Sequence, residues 1–159
     1  MGVLRFYHLT RAPVEQTLPK LLRRALDAGM RVQMRCSTAE RAAWFDQKLW
    51  LGSDDPFLPH GVAGGEHDAL QPILLDPEDR LHAGIDCLMC LEGAPVSPED
   101  VAQLDRTFIF FDGHDADALA HARGQWKVLT GAGLGAEYWS EASGRWAMER
   151  SVPAADQRA

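Results

Sequence analysis

Three side chains in the last third of the sequence have the types and spacing of a small binding site. Arg123 and Trp126 are three residues apart and Arg123 and Lys127 are four apart, so a helix would make these side chains neighbours. A flat aromatic ring beside a guanidinium and an ammonium suits a ligand that carries an apolar ring and a carboxylate. The residues alone leave a second interpretation open, in which a half-buried tryptophan lies beside two solvated cations.

A second group of large side chains surrounds a polar, proline-rich segment. Trp50 ends a predicted helix, and Phe57, Leu58, Pro59 and His60 follow a pair of aspartates. Such side chains either tuck under the loop as a satellite core or form an exposed interaction patch. Trp and Phe are common anchors of protein interfaces, but the residues alone favour neither alternative.

The common catalytic and metal-binding patterns do not fit this sequence. Cys87 and Cys90 have C-x-x-C spacing, but they lie in an apolar run typical of a buried strand, where residues three apart point to opposite faces. These thiols, like Cys36, are predicted to be reduced core side chains and not a metal or redox pair. The histidines are scattered, and no constellation of residues supports a metal site or an enzyme mechanism.

The glycine-rich segment 131–136 fits a loose dinucleotide-binding pattern, G-x-G-x-x-A. That pattern requires a strand before it and a helix after it, whereas a predicted helix precedes this segment and strand-like sequence follows. A glycine turn at the end of a helix is the simpler interpretation. A nucleotide-dependent enzyme that uses 131–136 is kept as the alternative function.

The composition is that of an ordinary globular protein. The 159 residues are 46% hydrophobic and 25% charged, with a net charge of −7. Nine basic and four acidic residues give 1–50 a charge of +5, whereas two basic and fifteen acidic residues give 51–118 a charge of −13. This balance disfavours general attraction to nucleic acid or to an anionic membrane, although the basic first 50 residues keep a nucleic-acid binder open as a further alternative.

No membrane-spanning run and no secretory signal is found, so a cytoplasmic location is expected.

Strands alternate with helices along the chain. The predicted strands are 4–9, 31–35, 73–75, 85–91 and 107–111, and the predicted helices are 14–28, 37–50, 97–104 and 115–130. Pro19 would move the start of the first helix to near Thr17, and Ser37 with Glu40 forms a capping box for the second. Residues 52–72 are predicted to be one long loop, and a hairpin follows at 138–148. This order predicts an α/β fold with a largely parallel sheet, helices on both faces and a C-terminal β-hairpin.

Several short segments, in order, resemble the chi subunit family of bacterial DNA polymerase III. They are Phe6-Tyr7-His8-Leu9, Trp44-Phe45-Asp46-Gln47-Lys48-Leu49-Trp50, Phe57-Leu58-Pro59-His60, Gly65-Glu66 and Ala122-Arg123-Gly-Gln-Trp126-Lys127. The resemblance extends over residues 4–148. It implies a single Rossmann-like domain, 1–150, followed by a flexible tail, 151–159, with no enzymatic activity, cofactor or metal.

The resemblance also implies a site for a partner's C-terminus. In the chi family, an arginine, an aromatic residue and a lysine on one helix bind the acidic C-terminal tail of the single-stranded-DNA-binding protein, which ends in Pro-Phe. The matching residues are Arg123, Trp126 and Lys127, with Trp in place of the usual Tyr. The tryptophan keeps the stacking surface but lacks the hydroxyl group.

A second protein-binding surface is implied at Trp50, Phe57, Pro59 and His60. This surface is expected to face the psi subunit of the clamp loader, or a competing helicase. The function that the resemblance implies is that of a DNA replication adaptor, which links the clamp loader to the single-stranded-DNA-binding protein without binding DNA directly.

Overall fold

The computed structural model describes residues 2–51, 58–141 and 145–155. The strands in these ranges are β1 (Val3–Leu9), β2 (Val32–Arg35), β3 (His60–Val62), β4 (Ile73–Asp76), β5 (Cys87–Cys90), β6 (Arg106–Asp112), β7 (Ala136–Ser140) and β8 (Ala147–Val152). The α-helices are α1 (Val14–Asp27), α2 (Ala39–Leu51), α3 (Pro98–Ala102) and α4 (Ala116–Gly131), and a turn of 3₁₀ helix spans Asp68–Leu70.

These strands form one sheet in the order β3-β4-β2-β5-β6-β1-β7-β8. Each neighbouring pair is parallel except β7 and β8, which form an antiparallel hairpin at one edge. The predicted α/β fold, with its largely parallel sheet and C-terminal hairpin, is confirmed.

Helices cover both faces of the sheet, and a hydrophobic core lies on each face. The first core takes Leu18 from α1 and Phe45 from α2, and the second takes Leu129 from α4. Because successive strand residues point to opposite faces, β1 contributes Tyr7 to the first core and Phe6 to the second. The sheet therefore separates the α1–α2 side of the molecule from the α4 side.

Local details of the first two helices differ from the sequence-based expectation. Helix α1 begins at Val14 and contains Pro19, so the predicted later start near Thr17 is wrong. The start of α2 is capped by Thr38, whose hydroxyl accepts a hydrogen bond of 3.1 Å from the Arg41 backbone N–H. The cap therefore lies one residue after the Ser37 that the sequence indicated.

The segment 52–72 is not one continuous loop, because it includes β3 and the 3₁₀ turn. Strand β3 is a three-residue edge strand paired only with β4. At the other edge, β8 runs to Val152, and Ala154 after it is buried. The division between a domain at 1–150 and a flexible tail stays a prediction. Among the described residues, no helix is long and apolar enough to cross a membrane.

Candidate functional site

Helix α4 packs one side against the sheet and leaves the adjoining side open. The Asp115 carboxylate caps its first turn by accepting hydrogen bonds from the backbone N–H groups of Asp117 and Ala118. Ala122 and Leu129 are buried in the core beneath the helix. The arc beside this packed side carries the three residues predicted to hold a ligand.

Trp126 packs against two aromatic rings and one arginine, which come from three different strands. Its ring lies edge-on to Phe6, with 5.2 Å between the ring centroids, and 6.2 Å from the ring of Tyr138. The guanidinium carbon of Arg150 lies 5.6 Å from the centre of the indole ring. Trp126 is half buried, so one part of its ring is packed and another part remains accessible.

A cavity of about 530 Å³ opens between α4 and the C-terminal hairpin. Arg123, Trp126 and Lys127 line it from the helix, and Tyr138, Glu149 and Arg150 line it from β7 and β8. Its volume is in the range of ~300–1,000 Å³ that small-molecule sites have. The structure therefore brings the three predicted residues of α4 together around one concave surface.

The two cations of α4 at this cavity are exposed. Neither Arg123 nor Lys127 has a hydrogen bond or an ion pair with another residue in the described parts of the chain. Charged donors that are already placed beside an aromatic ring can bind an incoming carboxylate without first breaking an internal pair. The cavity can therefore accept a ligand with an apolar ring and a negative charge.

The hairpin supplies site residues that sequence reasoning missed. The Tyr138 hydroxyl lies 2.6 Å from Nδ1 of His8, which fixes the phenol at the cavity wall. Burial raises the pKa of Tyr138, and the Glu149 carboxylate raises it further, while Arg123 opposes the shift. The only sequence signal was the predicted hairpin, and that pattern does not say which side of the hairpin faces α4.

The second predicted surface is divided between exposed and buried side chains. Trp50 is 54% exposed, and its ring centroid lies 4.2 Å from that of His60. His60 itself is buried, with Nδ1 2.6 Å from the Leu58 carbonyl oxygen and Nε2 3.0 Å from that of Asp46. The buried imidazole therefore packs against the exposed Trp50 ring.

Of the other two residues predicted for that surface, Pro59 is partly exposed. Phe57 lies outside the described residues.

Residues 1–137 match the family model described as DNA polymerase III chi subunit, HolC. The chain belongs to the DNA polymerase III chi subunit family. A search of curated proteins found no match. Membership of the chi family supports an accessory role in DNA replication, with a protein partner in the replication complex.

The match to the chi family covers the helix side of the cavity but not the hairpin side. Arg123, Trp126 and Lys127 lie inside the matched range, whereas Tyr138 and the whole of β8 lie after it. In this chi-family chain, one wall of the candidate site is therefore formed by residues that lie after the matched range.

A larger cavity, of about 640 Å³, lies at the carboxyl ends of β1, β5 and β6. In open α/β sheets this edge is where nucleotides bind, often at the amides of the loop that opens the first helix. Here the backbone N–H groups of Thr10, Arg11 and Ala12 donate hydrogen bonds of 3.1, 2.9 and 3.1 Å to Oε1 of Glu141. The buried Glu141 carboxylate therefore already accepts the amide hydrogen bonds that a phosphate at this loop would need.

The glycine turn at 131–136 also lies away from that edge of the sheet. It connects the end of α4 to the beginning of β7, which runs parallel to β1, so it is at the amino ends of the strands. Gly133 adopts a φ of +93°, a conformation that glycine tolerates without strain. The geometry is that of a helix-to-strand connection and not of a nucleotide-binding loop.

The cysteines are core residues. Cys87 belongs to the core on the α1–α2 side and Cys90 to the core on the α4 side, so the two thiols point to opposite faces as the sequence predicted. Burial raises the pKa of each of them, and of Cys36, to about 12. Within the described residues, no cluster of His, Cys, Asp and Glu could hold a metal ion.

Proposed function

We propose that this chi-family protein is a non-catalytic replication adaptor whose α4 cavity binds the acidic C-terminal tail of the single-stranded-DNA-binding protein. The supporting observation is a half-buried Trp126 beside Arg123 and Lys127, two exposed cations without an ion pair in the described structure. A terminal phenylalanine supplies the ring and the carboxylate that this surface suits, and capture of a C-terminal carboxylate is a recognised mode of peptide binding.

The contact between the tail and the cavity is expected to be small and sensitive to salt. Interfaces that bury less than ~1,200 Å² are typical of transient complexes. Because the two α4 cations are exposed, salt at ~0.15 M, where the Debye length is ~8 Å, screens much of their attraction for the peptide. Weak binding of this kind suits an adaptor that must release its partner.

The second surface is proposed to join the protein to the clamp loader through the psi subunit, or to a competing helicase. Trp50 is exposed and packs on the buried His60, so its ring stays at the surface, where a partner can contact it. Trp50→Ala is expected to weaken binding of that partner and to leave the tail peptide unaffected, because the α4 cavity has no lining residue from α2.

The decisive experiment is a calorimetric titration with the peptide Asp-Asp-Asp-Ile-Pro-Phe. Arg123→Ala, Trp126→Ala and Lys127→Ala are each expected to weaken binding, while circular dichroism shows that the variants remain folded. The same peptide with a C-terminal amide is the control for recognition of the free carboxylate. Unchanged affinity in all three variants would remove the assignment of the site.

The two alternative functions have their own tests. A nucleotide-dependent enzyme predicts stabilisation in a thermal-shift screen with NAD, S-adenosylmethionine and ATP, since a ligand well above its Kd stabilises the fold by mass action. No shift is expected, because Glu141 already accepts the hydrogen bonds of the loop amides. A nucleic-acid binder predicts a gel shift with single-stranded DNA at low salt, and none is expected.

A further inference from the structure

The hairpin presents two charged side chains to the α4 cavity because of an irregularity in β8. Tyr138 pairs with Arg150 and Trp139 pairs with Met148, so Glu149 is an extra residue in β8 with no partner in β7. A bulge of this kind re-aims side chains that would otherwise alternate between the two faces. Glu149 and Arg150, although consecutive, therefore both line the cavity.

The charge around the cavity exceeds what one terminal carboxylate can balance. Arg123, Lys127 and Arg150 carry three positive charges, and Glu149 carries one negative charge, which leaves a formal charge of +2 in a protein whose net charge is −7. The Glu149 carboxylate also accepts a hydrogen bond of 2.6 Å from the Ser140 hydroxyl. A ligand with more than one negative group matches this surface better than a neutral peptide with only a terminal carboxylate.

Arg150 is placed to meet the additional negative charge. It comes from the wall opposite α4, it is exposed, and its guanidinium carbon is 5.6 Å from the centre of the Trp126 ring. A guanidinium that rests on an aromatic face keeps its edge N–H groups available for carboxylates. Its position on the hairpin separates it in the chain from the α4 cations.

We infer that the β7–β8 hairpin sets the charge selectivity of the α4 cavity, with Arg150 binding acidic side chains upstream of the partner's C-terminal residue. Glu149 limits that attraction by placing a like charge beside the ligand. This inference rests on the proposed function, since it concerns the same peptide site. It adds a contact that lies outside the range matched by the chi family model.

The test compares two peptides on the full-length protein. Asp-Asp-Asp-Ile-Pro-Phe and Asn-Asn-Asn-Ile-Pro-Phe share the terminal phenylalanine and carboxylate and differ only in the acidic side chains. Arg150→Ala is expected to weaken the acidic peptide about tenfold and the neutral peptide less than about twofold. Glu149→Gln is expected to strengthen the acidic peptide about twofold.

Arg24→Ala is the matched control, because it removes the same charge from an exposed position on α1, on the other face of the sheet. If Arg150→Ala weakens both peptides equally, or weakens the acidic peptide no more than Arg24→Ala does, the inference is wrong. If Arg123→Ala and Trp126→Ala weaken binding while Arg150→Ala does not, the proposed function stands and only the role of the hairpin is removed. If the wild-type protein binds neither peptide, both proposals are wrong.

Discussion

Two helices on opposite faces of the sheet carry the same three residue types, an arginine, a tryptophan and a lysine. On α2 the trio is Arg41, Trp44 and Lys48, and on α4 it is Arg123, Trp126 and Lys127. In both helices the arginine precedes the tryptophan by three residues. Residue types and the spacing of the arginine therefore do not tell the two trios apart.

In the α2 trio, the arginine is paired with an anion of the same protein. The guanidinium carbon of Arg41 lies 4.0 Å from the centre of the Trp44 ring, and the Lys48 ammonium lies 5.3 Å from it. The Arg41 Nε–H also donates a hydrogen bond of 2.7 Å to the carboxylate of Glu92. Arg41 therefore covers the Trp44 ring and already has an anionic partner, so an incoming carboxylate would have to compete with Glu92.

Both trios border a cavity, but Arg41 is paired with Glu92 where the two line the larger cavity, whereas Arg123 lines the α4 cavity without an ion pair in the described residues. Among the described residues, Arg123 and Lys127 have no ion pair, and Trp126 lines a cavity of about 530 Å³. The difference comes from a third element, which is the turn that carries Glu92 in one case and the β7–β8 hairpin in the other. Whether such a trio is available for binding depends on long-range packing and not on the helix that carries it.

The largest expected effect is on affinity for the acidic tail peptide, and it distinguishes Trp126 from Trp44. Trp126→Ala removes the aromatic wall of the proposed site and is expected to reduce affinity for the acidic tail peptide about 30-fold, which corresponds to the ~2 kcal/mol of an interface hot spot. Trp44→Ala is expected to leave the affinity within about twofold. Calorimetric titration measures both, and equal losses would show that the internal pairing on α2 does not prevent it from binding the peptide.

A smaller effect is expected from removing the cations in pairs. The double variant Arg123→Ala, Lys127→Ala is expected to lose about tenfold in affinity at low salt, and its residual binding should depend less on salt than that of the wild type. The matched double variant Arg41→Ala, Lys48→Ala removes the same charge from α2 and is expected to keep the wild-type salt dependence. A parallel loss in both doubles would indicate general electrostatic attraction and no specific site.

A stability measurement tests how much the ion pair between Arg41 and Glu92 contributes to the fold. Glu92→Gln weakens a partly exposed ion pair and is expected to lower the free energy of unfolding by less than about 1 kcal/mol. Glu92 has a φ of +52°, a left-handed conformation that is strained for any residue with a side chain. Glu92→Gly relieves that strain, so it is expected to be more stable than Glu92→Gln in urea unfolding. The opposite order would mean that the backbone strain at residue 92 costs less than the contact that a glutamine side chain keeps with Arg41.

The smallest effect concerns alkaline pH, because Trp126 packs against the ionisable ring of Tyr138, whereas Trp44 packs against Phe45. Burial raises the pKa of Tyr138 above its value in the unfolded chain, so its neutral phenol stabilises the fold fully below about pH 10. This contribution is lost as the pH rises through the folded value. Tyr138→Phe is expected to reduce the alkaline fall in stability, measured by urea unfolding at several pH values. If the alkaline loss of stability is unchanged in Tyr138→Phe, other groups cause that loss. One of them would be Tyr7, whose pKa is also raised by burial.

Most of the fold follows from patterns that act over a few residues. The apolar run around Cys87 and Cys90 predicted a strand buried on both faces, and the alternation of strands and helices predicted a parallel sheet. Strand β3 was missed because three residues at an edge, paired with one neighbour, are too few to produce a periodic signal. Pro19 was misjudged because one missing N–H does not outweigh the burial of Leu18 and Leu22 around it.

The candidate site was predictable only on its helical side. Spacing on α4 is enough to make Arg123, Trp126 and Lys127 neighbours. The contribution of Arg150 depends on the bulge in β8, and that irregularity leaves no mark in the sequence. The imidazole of His60 likewise contacts the carbonyl oxygen of Asp46, which belongs to α2, so the sequence alone could not separate the buried His60 from the exposed Trp50.

The carboxylate of Glu141 has a consequence for the stability of the domain. In a fold of this type, the amides that open the first helix commonly hold an exchangeable nucleotide, whose concentration then influences stability. Here the anion that accepts these hydrogen bonds belongs to the same polypeptide, so its effective concentration is fixed by chain geometry. The domain thus carries its own counterpart of a phosphate at these amides, and we expect its stability not to depend on a nucleotide bound there.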